Sequence, residues 1–116
     1  MIAPLDGFVL VASEYNHGYA ANLKNALDFL HAEWAKKPVA FVGYGSLGAV
    51  AAIEQLVNIT AQLNMVPSPS TAVKIIDAWG ALDESGAVKA DHIRGQVDNL
   101  VKSLVWWAET LKAARS

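Results

Sequence analysis

Three short apolar runs, at residues 8–12, 39–42 and 72–76, mark the predicted strands of this chain. The first run is rich in β-branched and aliphatic residues and is bounded by turn-forming residues on both sides. Such a run is typical of a strand that is buried on both faces of a sheet. We therefore predict three strands and expect both faces of the first one to be covered.

Apolar residues recur at helical spacing between and after these runs. The first pattern extends from Leu23 to Trp34, the second covers residues 53–63, and the longest runs from about residue 90 to residue 114. Trp106 falls on the polar side of that last pattern. The order of elements is therefore βαβαβα, and right-handed crossovers turn that order into a parallel sheet with helices on both sides.

Composition limits the classes of protein to consider. The chain has 116 residues, which predicts a single domain over residues 1–116, and 53% of them are apolar. A formal charge of -2 with scattered lysines and arginines argues against nucleic acid as a partner. The chain contains no cysteine, no histidine pair at metal-ligand spacing and no apolar run long enough for a membrane span. No signal peptide is visible, so we expect a cytoplasmic protein without a metal.

Polar and glycine-rich loops follow the first two predicted strands. They comprise residues 13–18 and 43–48, and open α/β sheets bind ligands at the carboxyl ends of their strands. Residues 43–48 also match the G-x-G-x-x-G pattern of dinucleotide sites, but the acid such a site needs, here Asp77, lies too far downstream. A plain polar turn in the first loop and a plain glycine turn in the second remain alternatives to a ligand site.

The sequence of the first loop and the first predicted helix is similar to a motif of a known family. Glu14-Tyr15-Asn16, a glycine-containing spacer and then Leu23-Lys24-Asn25-Ala26-Leu27-Asp28 resemble the flavodoxin-like NAD(P)H-dependent FMN reductases. Ser13 stands where that family usually has proline. The likeness extends through Glu33-Trp34 and Lys37-Pro38 to residues 41–45 and, more loosely, to the last helix.

The resemblance implies an α/β fold, namely a flavodoxin-like three-layer αβα sandwich with a parallel sheet. Only about three of the usual five strands are expected, because the chain starts where the family's third strand starts and lacks the phosphate-binding loop. The first strand would then lie at the edge of the sheet, with its free backbone groups available to another chain. The chain is accordingly either a fragment of a longer product or a protein that completes itself by association.

The resemblance also implies a function. Members of that family pass a hydride from NAD(P)H through bound FMN to a small-molecule electron acceptor, and no residue needs to act as a catalytic acid or base. The implied residues around the flavin ring are Ser13, Glu14, Tyr15, Asn16, Gly43, Tyr44, Gly45, Ser46 and Gly48. Nothing in the chain obviously holds the FMN phosphate.

Two further expectations concern partners. The free edge strand and the exposed position of Trp106 predict a homodimer or higher homo-oligomer. The alternative function is a degenerate or truncated domain without catalysis that serves as an oligomerising or binding module.

Overall fold

A mostly parallel sheet between two helical layers forms the centre of the computed structural model, which describes all 116 residues. The strands are β1 (Phe8–Ser13), β2 (Pro38–Tyr44), β3 (Val66–Pro67), β4 (Val73–Ile75) and β5 (Ile93–Arg94), and the helices are α1 (Ala21–Asp28), α2 (Val50–Gln62) and α3 (Val97–Arg115). The spatial order is β1-β2-β4-β5. β3 pairs with the first residues of β2, and β4 pairs with the last ones. The predicted flavodoxin-like α/β sandwich is confirmed.

Two short strands were not predicted. β3 pairs in parallel with the start of β2 and ends at Pro67, and Pro69 follows before β4. Proline has no N–H to donate to a continuous ladder, so β3 and β4 are separate strands. β5 pairs antiparallel with β4, so the sheet is mixed rather than wholly parallel. The sequence thus predicted three of the five strands, β1, β2 and β4, and missed the two-residue strands β3 and β5.

The last helix begins later than its apolar pattern suggests. Residues 90–92 form a 3₁₀ turn, and β5 follows before α3 starts at Val97. Gly95 interrupts the pattern, because its φ of +94° is left-handed and a side chain there would collide with the carbonyl oxygen of Ala72. The close approach of this turn to β4 thus excludes a continuous helix.

The expectation that β1 is buried on both faces is wrong. Phe8, Leu10 and Ala12 are buried, whereas Val9 and Val11 are 42% and 61% exposed. The exposed pair lies on the same face as β2 residues 40 and 42, which α3 covers. β1 lies at the edge of the sheet as predicted, and α3 does not reach over it.

The two helical layers bury different faces of the sheet. Under α1 and α2 lies the larger core, which includes Phe8, Leu10, Val39, Phe41, Ile53 and Leu56. On the opposite face, Leu100 of α3 packs with Ala40 and Val73 in a smaller core. None of the helices combines the length and apolar character that a membrane crossing requires.

The first helix is shorter than its apolar pattern, since α1 ends at Asp28. Trp34 lies beyond that end in the larger core, where its indole N–H donates a hydrogen bond of 2.9 Å to the Leu27 carbonyl. Its ring meets Phe8 edge-on, with 4.9 Å between the centroids. Trp34 therefore connects the segment after α1 to β1.

An ion-pair network connects α3 to the residues before β1. Lys112 and Arg115 each donate a 2.9 Å hydrogen bond to the carboxylate of Asp6. The bond from Lys112, followed by the positive charges of the neighbouring side chains, holds the pKa of Asp6 below its ordinary value. The Lys112 contact is exposed and the Arg115 contact is only partly buried, so the network orients the helix more than it stabilises the fold.

Replacing Trp34 with phenylalanine should lower the free energy of unfolding by about 1–3 kcal/mol, because the buried Leu27 carbonyl loses its donor. The matched control is Trp106→Phe, at an indole that is 60% exposed, which should change that energy by no more than about 0.5 kcal/mol. Urea denaturation of both variants measures the difference. Equal losses would contradict the role given to Trp34.

Candidate functional site

The first two strands end side by side, and this geometry creates the site. β1 and β2 pair in register up to Ser13 and Tyr44, so the loops that follow leave the sheet at the same level. The segment after β4 joins them at that end. Together they enclose an open cavity of about 200 Å³. Its lining consists of Ser13, Glu14, Tyr15, Tyr44, Gly45, Ser46, Ala78 and Trp79.

Glu14 is directed to a helix rather than into the cavity. Its carboxylate accepts a 2.8 Å hydrogen bond from the backbone N–H of Ala52, in the first turn of α2. An acidic group at that position also interacts favourably with the positive end of the helix dipole. Glu14 therefore fastens the first loop to α2. It contributes to the cavity as part of the wall.

Asn16 belongs to a tight turn outside the cavity lining. The backbone of Tyr15 and Gly18 exchanges two hydrogen bonds, of 2.7 and 2.9 Å, while Asn16 and His17 adopt left-handed φ angles of 51° and 67°. Two consecutive positive φ angles define the two-residue hairpin turn that asparagine tolerates well. The plain-turn interpretation thus explains why asparagine occupies this position.

Gly43 and Gly48 are required by close packing, because neither position has room for a side chain. Gly43 is buried, and a side chain there would collide with the carbonyl oxygen of Gly48. Gly48 has a φ of +75° and is packed against Lys74. Neither lines the cavity, whereas Gly45 does, and a Cβ on Gly45 would approach no atom closer than 3.6 Å. Only Gly45 therefore leaves room for a ligand.

A third loop completes the cavity, and its residues Ala78 and Trp79 were not predicted. The amides of Asp77 and Ala78 donate to the carbonyls of Ser46 and Gly45 at 3.0 and 3.2 Å. Asp77 has a left-handed φ of 46°, which turns the chain towards the cavity. The rule that singled out the first two loops also applies to this one, since it follows the third predicted strand.

The cavity is lined by aromatic rings, and its single charged group is the carboxylate of Glu14. Tyr15, Tyr44 and Trp79 are 63%, 41% and 93% exposed, and none of the eight lining residues is cationic. The hydroxyls of Ser13 and Ser46 add polar groups at its border. No three histidine, aspartate or glutamate side chains lie close enough to hold a metal ion. These walls fit a planar ring whose edge carries hydrogen-bonding groups.

A family model and similar known proteins indicate the same protein family. The model of the family described as NADPH-dependent FMN reductase matches residues 1–80. An NAD(P)H-dependent FMN reductase of Schizosaccharomyces pombe is 46% identical over 69 residues, which cover 60% of this chain and 34% of that protein. The corresponding enzyme of Saccharomyces cerevisiae is 41% identical over 75 residues, with 65% and 39% covered. This chain thus spans well under half the length of both relatives.

Matches that cover more of the chain are more distant. A 2-hydroxy-1,4-benzoquinone reductase of a Burkholderia species is 27% identical over 113 residues, which cover 91% of this chain and 62% of that protein. Among solved structures, FerB of Paracoccus denitrificans, a flavoenzyme NAD(P)H:(acceptor) oxidoreductase, superposes with a TM-score of 0.63 at 22% identity. That superposition covers 97% of this chain and 64% of FerB, and it supports the fold.

Replacing Glu14 with alanine should lower the free energy of unfolding by about 1 kcal/mol, because the Ala52 amide loses its acceptor. Glu14→Gln keeps an acceptor oxygen of the same reach and should lose less. Thermal or urea unfolding of the two variants measures the contrast. If both variants unfold like the original protein, the carboxylate does not fasten the loop to α2.

Proposed function

Because this chain belongs to the NADPH-dependent FMN reductase family, we propose that its cavity holds the isoalloxazine ring of FMN and that NAD(P)H is the reductant. The observation that carries the proposal is the convergence of three strand-end loops on one aromatic cavity without a cationic residue. FMN, when bound, supplies the chemistry by taking up a hydride from the nicotinamide and delivering electrons to a small-molecule acceptor.

The residues of the chain position the ring. Tyr15 and Tyr44 offer planar contacts, Gly45 lets the ring approach the backbone, and Ser13 and Ser46 offer hydroxyls. Of the other residues in the predicted site, Glu14 holds the first loop against α2. Asn16 and Gly48 lie in the turns beside the lining residues, and Gly43 lies at the end of β2, next to Tyr44. No side chain is assigned the role of a catalytic acid or base.

The acceptor in this proposal is a small planar molecule of the quinone class. One relative is named a benzoquinone reductase and FerB is named an oxidoreductase of an unspecified acceptor, and an open aromatic cavity suits such molecules. We place the protein in the cytoplasm, where NAD(P)H is supplied. In this scheme all 116 residues act as one flavodoxin-like domain.

Mixed with FMN and NADPH in the absence of oxygen, the purified protein should speed the loss of the flavin's visible absorbance. Gly45→Val should slow this reaction about tenfold, because the added side chain occupies space in the cavity. Ala113→Val is the matched control, since Ala113 is exposed in α3 and does not line the cavity.

A protein that does not accelerate the reaction at any FMN concentration would contradict the proposed function. It would favour the alternative of an oligomerising or binding module without catalysis. The observation that supports this alternative is the lack of a cationic residue in the cavity lining.

We also propose that the protein is a homo-oligomer, with a second copy covering the free edge of β1. The backbone of Phe8–Ser13 pairs only with β2, so the groups on its other edge are free. Val9 and Val11 are exposed beside that edge. Lys112 of α3 donates to Asp6, just before β1. Val101 and Val105 are exposed and lie on the same stripe of α3 as Lys112, so this stripe faces the same side of the molecule as the free edge of β1.

Light scattering at micromolar concentration should give a mass at least twice the 12.4 kDa of a single chain. Val11→Lys should reduce that mass, because a charge on the covered face opposes association. Phe29→Lys, at an exposed apolar residue beside α1, is the matched control and should leave the mass unchanged. A mass of 12.4 kDa for the original protein would contradict the proposal.

A further inference from the structure

Trp79 is almost wholly in solvent, although its backbone is fixed. Its exposure of 93% is the highest of the large aromatic residues, and indoles so exposed on ordered backbone are typical of binding surfaces. It lies in the 3₁₀ turn Ala78–Gly80, at the border of the cavity. An aromatic ring held at a cavity border contributes contact area without a large loss of conformational entropy.

Hydrogen bonds hold this turn from two directions. On the cavity side, the Ala78 amide donates to the Gly45 carbonyl at 3.2 Å. On the other side, Lys89 donates to the Ala81 carbonyl from its amide at 2.8 Å and to the Gly80 carbonyl from its side-chain amine at 3.0 Å. Ala81 itself is buried. These bonds fix the backbone of Trp79 relative to Gly45 before any ligand arrives.

The other residues of the lining and the size of the cavity limit which ligands can contact Trp79. The one charged group in the lining, the carboxylate of Glu14, is already bonded to the Ala52 amide. The cavity of about 200 Å³ is small beside the roughly 300–1,000 Å³ of most ligand pockets. It therefore suits a single ring system rather than a whole dinucleotide, and contact with planar faces is the main attraction it offers.

Building on the proposed function, we propose that Trp79 is the stacking wall of this site and that the chain recognises the flavin by its ring. Tyr15 and Tyr44 stand around the same cavity, so the ring meets aromatic side chains from all three loops. Ring affinity then depends on Trp79, and the phosphate adds little because no lining residue is cationic. Lumiflavin, riboflavin and FMN accordingly bind with affinities within about tenfold of one another.

Titration of flavin fluorescence with the full chain tests this role without any turnover, using lumiflavin as the ring alone. Trp79→Ala should raise the lumiflavin Kd about tenfold, the loss expected when one stacked aromatic side chain is removed. Trp79→Phe, which keeps a planar face, should recover most of the affinity. Trp106→Ala removes an exposed indole on α3, away from the cavity, and should leave the Kd unchanged.

The outcomes separate this inference from the proposed function. If Trp79→Ala binds lumiflavin as tightly as the original protein while NADPH-dependent FMN reduction proceeds, the function stands and the stacking role is wrong. If lumiflavin binding depends on Trp79 but no reduction occurs, the ring site stands and the reductase function is wrong. FMN binding more than about tenfold tighter than riboflavin binding, or no lumiflavin binding at all, overturns recognition by the ring.

Discussion

The parallel, in-register pairing of β1 with β2 is the constraint on which the site depends. It runs from Phe8 opposite Val39 to Ser13 opposite Tyr44, so both strands end at one level. Two further sets of hydrogen bonds turn that alignment into a cavity. The Glu14 carboxylate fixes the first loop to α2, and backbone bonds to Gly45 and Ser46 bring the loop after β4 alongside. A shift of one residue between β1 and β2 would reverse which side chains face the core.

The other side of β1 has a different consequence. Only one edge of the strand is paired, and α3 covers β2 and β4 but not Val9 and Val11. The network of Asp6 with Lys112 and Arg115 ties the end of α3 near the start of β1. The cavity lies at the carboxyl ends of the strands, whereas the exposed apolar surface lies along the sheet edge. Ligand binding and association of copies would therefore use different surfaces of the molecule.

Sequence patterns identified the features that depend on local chemistry. The apolar runs located β1, β2 and β4, and the rule about strand ends located six of the eight lining residues. Features that depend on neighbours distant in the chain were missed. Five consecutive apolar residues at 8–12 conceal the alternation that leaves Val9 and Val11 exposed. The close approach of Gly95 to Ala72, which delays α3, is visible only in three dimensions.

In the proposed function, one ring system binds among the loops that follow β1, β2 and β4. Amide NMR spectra recorded during a riboflavin titration test it residue by residue. The signals that shift should cluster at Ser13–Tyr15, Tyr44–Ser46 and Ala78–Trp79, the residues that line the cavity. The groove between α1 and α2, marked by Asn58 and Gln62, should remain unchanged. Shifts concentrated in that groove, or spread over the surface without a centre, would contradict binding of the ring among these three loops.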